Sequence, residues 1–147
     1  MGIRPFKKVL VAVDGSKNAL KAAKKGIEIA KQNKAKLYVL YVIDHNLIED
    51  LVRIQRKNKS EIKSQLEEKA KIYVKDIQRL CEADDLECIE LIKEGSAVNV
   101  ILNESKTHKI DLLVMAHHSR TGTEAIRLGS VCSGVLDFAP CPILIIK

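Results

Sequence analysis

Five short apolar runs punctuate this chain, and most of the sequence between them repeats its apolar positions at a helical period. Residues 9–13, VLVAV, form a continuous run rich in β-branched side chains, the pattern of a strand buried on both faces. Residues 37–43, LYVLYVI, and 111–116, DLLVMA, read the same way, and 142–146, PILII, predict a last strand. Residues 86–92, LECIELI, alternate more, which places their strand nearer a sheet edge. Over residues 18–32 the apolar positions fall at Ala19, Ala22, Ala23, Gly26, Ile27 and Ala30, one face of a helix. A longer helix is predicted from Ser60, its expected N-cap. Ile62, Leu66, Ala70, Tyr73, Ile77 and Leu80 form its stripe, and Lys63 and Glu67 an ion pair on its face. Gly95-Ser96 turns into a helix carrying Ala97, Val100, Ile101 and Ser105. A final helix carries Val131, Val135, Leu136 and Phe138 and is stopped by Pro140. Residues 46–59 fit either a helical turn or a mobile flap.

The order is therefore β-α-β-α-β-α-β-α-β. Strands alternating with helices imply a parallel sheet covered on both faces, joined by right-handed crossovers. In open sheets of this kind a ligand sits beyond the carboxyl ends of the strands, where the strand order reverses. Asp14 falls at one such strand end and the stretch 116–130 at another. With 147 residues and no visible linker or repeat, a single domain over 1–147 is expected.

Composition narrows the function classes. Hydrophobic residues make up 46% and charged residues 30%, ordinary for a globular domain. No apolar run approaches the ~20 residues that cross a bilayer, and the N-terminal apolar stretch is too short for a secretory signal. The expected location is therefore cytoplasmic, with no membrane partner. The net charge of +6 is spread along the chain and mixed with acids, aromatics are 3% and Trp is absent. That composition offers no platform for stacking bases, so no nucleic-acid partner is expected. Cys81, Cys88, Cys132 and Cys141 include no CxxC spacing, and the last two lie in apolar surroundings that suit core packing.

The segments KKVLVAVDGSKNALKAAKKGIEIA, LYVLYVID, DLLVMAHHSRTGTEAIRLGSVCSGVL and APCPILIIK, taken in this order, resemble the universal stress protein family over residues 7–147. The resemblance implies a doubly wound five-stranded parallel sheet of order 3-2-1-4-5, with helices on both faces, the adenine nucleotide alpha hydrolase-like arrangement. It also implies a homodimer, often paired through the last strands. Many members bind ATP through a G-x-x-G motif, nine residues, and then G-S or G-T. Laid on this sequence, the final pair is Gly129-Ser130, and the two earlier glycine positions hold Ala116 and Ser119. The resemblance further places Asp14 near the ribose or a metal, and the main chain of Val42 near the adenine. The cofactor-binding set it implies is Val13, Asp14, Ser16, Val42, Ala116, His118, Ser119, Arg120, Gly129, Ser130 and Val131. The expected cofactor is ATP or another adenine nucleotide, with or without Mg.

Glycine suits a phosphate-wrapping loop because it allows positive φ and adds no Cβ where the backbone nears the ligand. A serine forced into a left-handed conformation costs roughly 1–2 kcal/mol, and about 1.4 kcal/mol is tenfold in affinity. Against that, the Ser119 hydroxyl can donate to phosphate, Gly129-Ser130 still opens a helix whose N-terminus favours an anion, and Arg120 and Arg127 add charge nearby. Asp14 reads either as a ribose or metal partner or as a helix-capping group. Ser16 reads as a cap or a ligand contact, and His45 as an edge of the adenine pocket or a loop residue. His117 and His118 are adjacent, so they point different ways, and no Cys or Glu cluster joins them. A metal site is not expected.

No Walker A pattern, Rossmann glycine triplet or nucleophile elbow is present, and nothing supplies a clear general base. Enzymatic activity is expected to be slow ATP hydrolysis at most. Two functions remain: a nucleotide-binding regulatory module, and a nucleotide-independent dimer that contacts an unidentified protein partner.

Overall fold

The computed structural model describes residues 5–117 and 129–147. The strands are β1 (Lys8–Val13), β2 (Lys36–Asp44), β3 (Cys88–Gly95), β4 (Leu112–Ala116) and β5 (Ile143–Ile146). The helices are α1 (Lys17–Asn33), α2 (His45–Gln55), α3 (Lys59–Ala83), α4 (Ala97–Thr107) and α5 (Ser130–Phe138). The strands form one parallel sheet in the order β3-β2-β1-β4-β5, as the resemblance implied.

Alternation along the strands divides the interior into two layers. Val9, Val11 and Val13 face the side covered by α1, α2 and α3, together with Leu37, Val39 and Val114. Leu10 and Ala12 face the side covered by α4 and α5, together with Tyr38, Leu40, Val42 and Met115. Every residue of β1 from Val9 to Val13 is buried, which accounts for its unbroken apolar run. Its neighbours β2 and β4 flank it, so chain direction and strand order together put the sheet's reversal point at the end of β1.

Several local expectations change. Asn58, not Ser60, caps α3: its Oδ1 accepts from the Glu61 N–H at 2.9 Å, while its Nδ2 donates to Glu61 Oε1 at 2.9 Å. An Asn with Glu three residues on satisfies the helix start reciprocally, and that pairing extends the helix. Lys63 does not pair with Glu67. Its Nζ lies 3.1 Å from Glu94 Oε2 on β3, a tertiary partner in place of a helical neighbour. The buried line of α3 passes through Val74 and Cys81 rather than Tyr73 and Leu80, because the 3.6-residue period drifts along a 25-residue helix. Residues 46–59 largely fold as α2, whose one fully buried side chain is Ile48.

Strand β3 starts two residues later than expected, because the Leu86 N–H is taken by the Cys81 carbonyl at 2.9 Å. It is an edge strand, as its alternation suggested. Asp111 stays out of β4 and accepts from the Lys7 and Lys8 N–H groups at 3.0 and 3.1 Å. Cys132 is buried, whereas Cys141 is only half-buried against the α4–α5 layer.

Candidate functional site

The β1–α1 turn is assembled from short-range polar contacts. Asp14 Oδ1 accepts from the Ser16 N–H at 3.0 Å, and Ser16 Oγ accepts from the Ala19 N–H at 3.1 Å. Ser16 is thus the N-cap of α1, the first of its two readings. Gly15 between them has φ +90°, and a Cβ there would lie 2.9 Å from Tyr41 Oη, so both conformation and space require glycine.

Two tyrosines hold this turn from behind. Tyr41 Oη donates to the Asp14 carbonyl at 3.2 Å, and Tyr73 Oη donates to the Ser16 carbonyl at 2.9 Å. Their rings meet edge to face at 5.7 Å. Burial pushes the Tyr73 hydroxyl well above the ordinary tyrosine value, with the nearby Asp14 and Tyr41 adding to the shift. It therefore stays protonated and donating across the neutral range.

On the other side of β1, the His117 N–H donates to the Ile146 carbonyl at 2.8 Å and the Gly129 N–H to the His117 carbonyl at 3.1 Å. These bonds set the start of α5 against the end of β4. Cys132 adds a third tie, donating its thiol to the Ala116 carbonyl at 2.8 Å. Burial pushes that thiol up to about 11, which keeps it a donor rather than a thiolate. Gly129 is the N-cap of α5, no side chain among the described residues caps the helix, and Gly129, Ser130 and Val131 at its start line the space beyond the strand ends.

Between these two constructions lies a cavity of about 200 Å³. Of the predicted set, Val13, Asp14, Val42, Ala116, Gly129, Ser130 and Val131 all line it. Ser16 does not line it, and His118, Ser119 and Arg120 lie outside the described residues, as does Arg127. Ala116 sits in regular β4 geometry, opposite Ile146, and is absent from the positive-φ residues. Its departure from glycine therefore carries no conformational strain. The methyl group simply forms part of the wall.

The site also contains residues that sequence reasoning passed over. Asp44 lines the cavity at the end of β2 while its Oδ1 accepts from the Asn46 N–H at 2.8 Å. Its signal was the same as that of Asp14, an acid closing a buried parallel strand. Strand β1 ends where Val13 faces Tyr41, and β2 continues for three more residues beside β3 alone, from Val42 opposite Lys93 to Asp44 opposite Gly95. That overhang exposes the inner edge of β2 to the cavity. Ala97 and Ile101 of α4, with Ala12 and Met115, complete an apolar wall. His117 lines the cavity too, whereas His45 does not. Its Nε2 lies 3.5 Å from Glu94 Oε2 at the start of α2. Among the described residues, no three His, Cys, Asp or Glu side chains come together as a metal centre.

The universal stress protein family model matches residues 5–147. The chain belongs to the universal stress protein family. A relative in Methanocaldococcus jannaschii, universal stress protein MJ0531, is 34% identical, covering 97% of this chain and 82% of its own. The Bacillus subtilis universal stress protein YxiE is 24% identical over 97% of this chain and 99% of its own. The structure of MJ0577, also from M. jannaschii, superposes with a TM-score of 0.84 at 26% identity, covering 97% of this chain and 96% of that one. A universal stress protein solved in complex with cAMP shares the fold, with a TM-score of 0.69 at 21% identity over 97% of this chain and 98% of that one. No helix among the described residues is long and apolar enough to cross a membrane.

Proposed function

We propose that this universal stress protein is a regulatory module that binds an adenine nucleotide, ATP or AMP, beyond the carboxyl ends of its central strands. The observation that carries the reading is convergence. Val13 and Asp14 from β1 and its turn, Val42 from β2, and Gly129–Val131 from the start of α5 border one cavity. The complex of a fold relative with cAMP supports the ligand class.

The cavity's chemistry divides the ligand. The apolar wall of Ala12, Val42, Ala97, Ile101 and Met115 suits a flat base, and the overhanging edge of β2 offers main-chain groups to it. Asp14 can accept from ribose hydroxyls. The start of α5, which no side chain among the described residues caps, suits phosphate together with Ser130. Two carboxylates repel a polyphosphate, so the phosphates belong at the α5 end, away from Asp44. A cavity of about 200 Å³ is below the ~300–1,000 Å³ of enclosing pockets, so part of the ligand stays at the mouth. Mg would be held chiefly by phosphate oxygens and water, with Asp14 the residue placed to join them. Binding stabilises the folded domain by mass action and leaves hydrolysis slow at most.

The module works as a homodimer through its last strand, in the cytoplasm. β5 is an edge strand, and Leu136 and Phe138 on the adjoining α5 are 50% and 70% exposed. Those features also favour a second reading, in which dimerisation and contact with another protein are the function and the cavity is scaffold. Calorimetric titration with ATP and Mg separates the two. Saturable binding between micromolar and about 100 µM is expected. An absence of heat at millimolar nucleotide rejects the first reading, and a purely monomeric mass at high micromolar protein rejects the second.

A further inference from the structure

We propose that Cys81 and Cys88 form an oxidisable dithiol, a modification site at which a peroxide converts the two thiols to a disulfide joining α3 to β3. Cys81 occupies the last turn of α3 and is fully buried. The Leu86 N–H bonds to the Cys81 carbonyl at 2.9 Å, which folds the chain back at once into the edge strand that Cys88 opens.

Alternation then decides which way Cys88 points. Cys88 and Ile92 pack into the layer under α3, and Ile89 and Leu91 into the opposite one. Both cysteines therefore share one layer at one end of it, seven residues apart across a single tight turn. Contact with Cys88 holds the Cys81 thiol below the usual range. Contact with Cys81, then burial, pushes Cys88 up. Cys88 is only half-buried, so a small oxidant reaches the pair from its side.

The reaction balances with one hydrogen peroxide. Two S–H bonds and the O–O bond break, one S–S bond forms, and both oxygens leave as water. The sulfurs together lose two electrons, which the peroxide gains. In a reducing compartment the dithiol is the resting form and the disulfide a transient product. Cys132 and Cys141 lie in the other layer, and Cys132 is engaged with the Ala116 carbonyl, so they serve as internal controls.

The test treats the folded full-length protein with hydrogen peroxide, alkylates the remaining thiols and digests with trypsin. Cleavage after Arg79 and Lys93 leaves both cysteines in one peptide, residues 80–93. That peptide is expected to lose two hydrogens, resist alkylation, and regain both thiols with dithiothreitol. The Cys81→Ser and Cys88→Ser variants, checked for native circular dichroism, should each abolish the loss. The proposal is overturned if both thiols of the wild-type peptide stay alkylatable. It is equally overturned if the peptide gains oxygen atoms instead of losing hydrogens, or if the loss persists in either variant.

Discussion

The two sides of the cavity are built differently. On the β1 side, an aspartate, a serine and two tyrosines fix the turn at residues 14–16 through side-chain hydrogen bonds, and a glycine with φ +90° fits beneath Tyr41. On the β4 side, main-chain bonds from His117 and Gly129 and the single Cys132 thiol hold the start of α5, which no described side chain caps. One wall is fixed before a ligand arrives. The other has no side-chain cap among the described residues, which in the proposed reading leaves its helix start to an anion. A regulatory site benefits from this asymmetry, since a positioned carboxylate sets orientation and the uncapped helix start gains most from the anion.

The comparison predicts that changes on the β1 side cost stability, while changes on the α5 side cost affinity. The largest effect is expected for Gly15→Ala. A left-handed alanine costs roughly 1–2 kcal/mol, and its methyl displaces Tyr41 Oη as well. Thermal denaturation should show a fall of about 2–8 °C, at about 2–4 °C per kcal/mol for a chain of this size. Next comes Tyr73→Phe, which removes one half-buried donor and should cost about 1 kcal/mol in urea denaturation.

That variant also sharpens the pH dependence. The Tyr73 hydroxyl is raised in the folded state, so its contribution is fully present below the unfolded value of about 10 and is lost as pH climbs through the higher folded value. Above about pH 10 the wild type should lose stability faster than Tyr73→Phe, with the two curves converging. Parallel curves in denaturant titrations at pH 8 to 11.5 would remove Tyr73 from the account.

Asp14→Ala is the exception to that division, because the same carboxylate holds the Ser16 N–H and lines the cavity. It should lower stability and also weaken ATP about tenfold or more by calorimetry, since a hydrogen bond to a charged group contributes roughly 1.5–3 kcal/mol. The smallest stability effect is expected for Gly129→Ser. Gly129 has φ −61°, open to any residue, and serine and glycine differ by only a few tenths of a kcal/mol as N-caps. Its stability should stay within about 0.5 kcal/mol of wild type while nucleotide affinity drops, because the new hydroxyl competes for the same amides. A large stability change with unaltered affinity would reverse the assignment of the two sides.

Much of this was legible in the sequence because burial on two faces leaves a plain signature. The runs VLVAV and LYVLYVI can be little else but central strands, and the G-S pair at 129–130 marks a helix start. What escaped depended on contacts between elements. Lys63 has an acid four residues on, yet a strand at the other side of a crossover holds its partner, Glu94. Asn58 outcompetes Ser60 because Glu61 answers it across one turn. Asp44 closes β2 and is also a cavity residue, a fact that follows only from β2 running past β1. Ala116 looked like damage to a phosphate motif, but extended backbone there makes glycine unnecessary. His118, Ser119 and Arg120 lie outside the described residues, and the double variant Ala116→Gly with Ser119→Gly should gain affinity only through position 119, since Ala116 is already unstrained.

The location of the ligand is the central claim, and an amide chemical-shift map taken while ATP and Mg are titrated into labelled protein addresses it directly. The account predicts saturable shifts at Val13, Asp14, Val42, Gly129, Ser130 and Val131, with the lysine-bearing outer face of α1 unmoved. Shifts confined to that lysine face, or none at millimolar nucleotide, would contradict it.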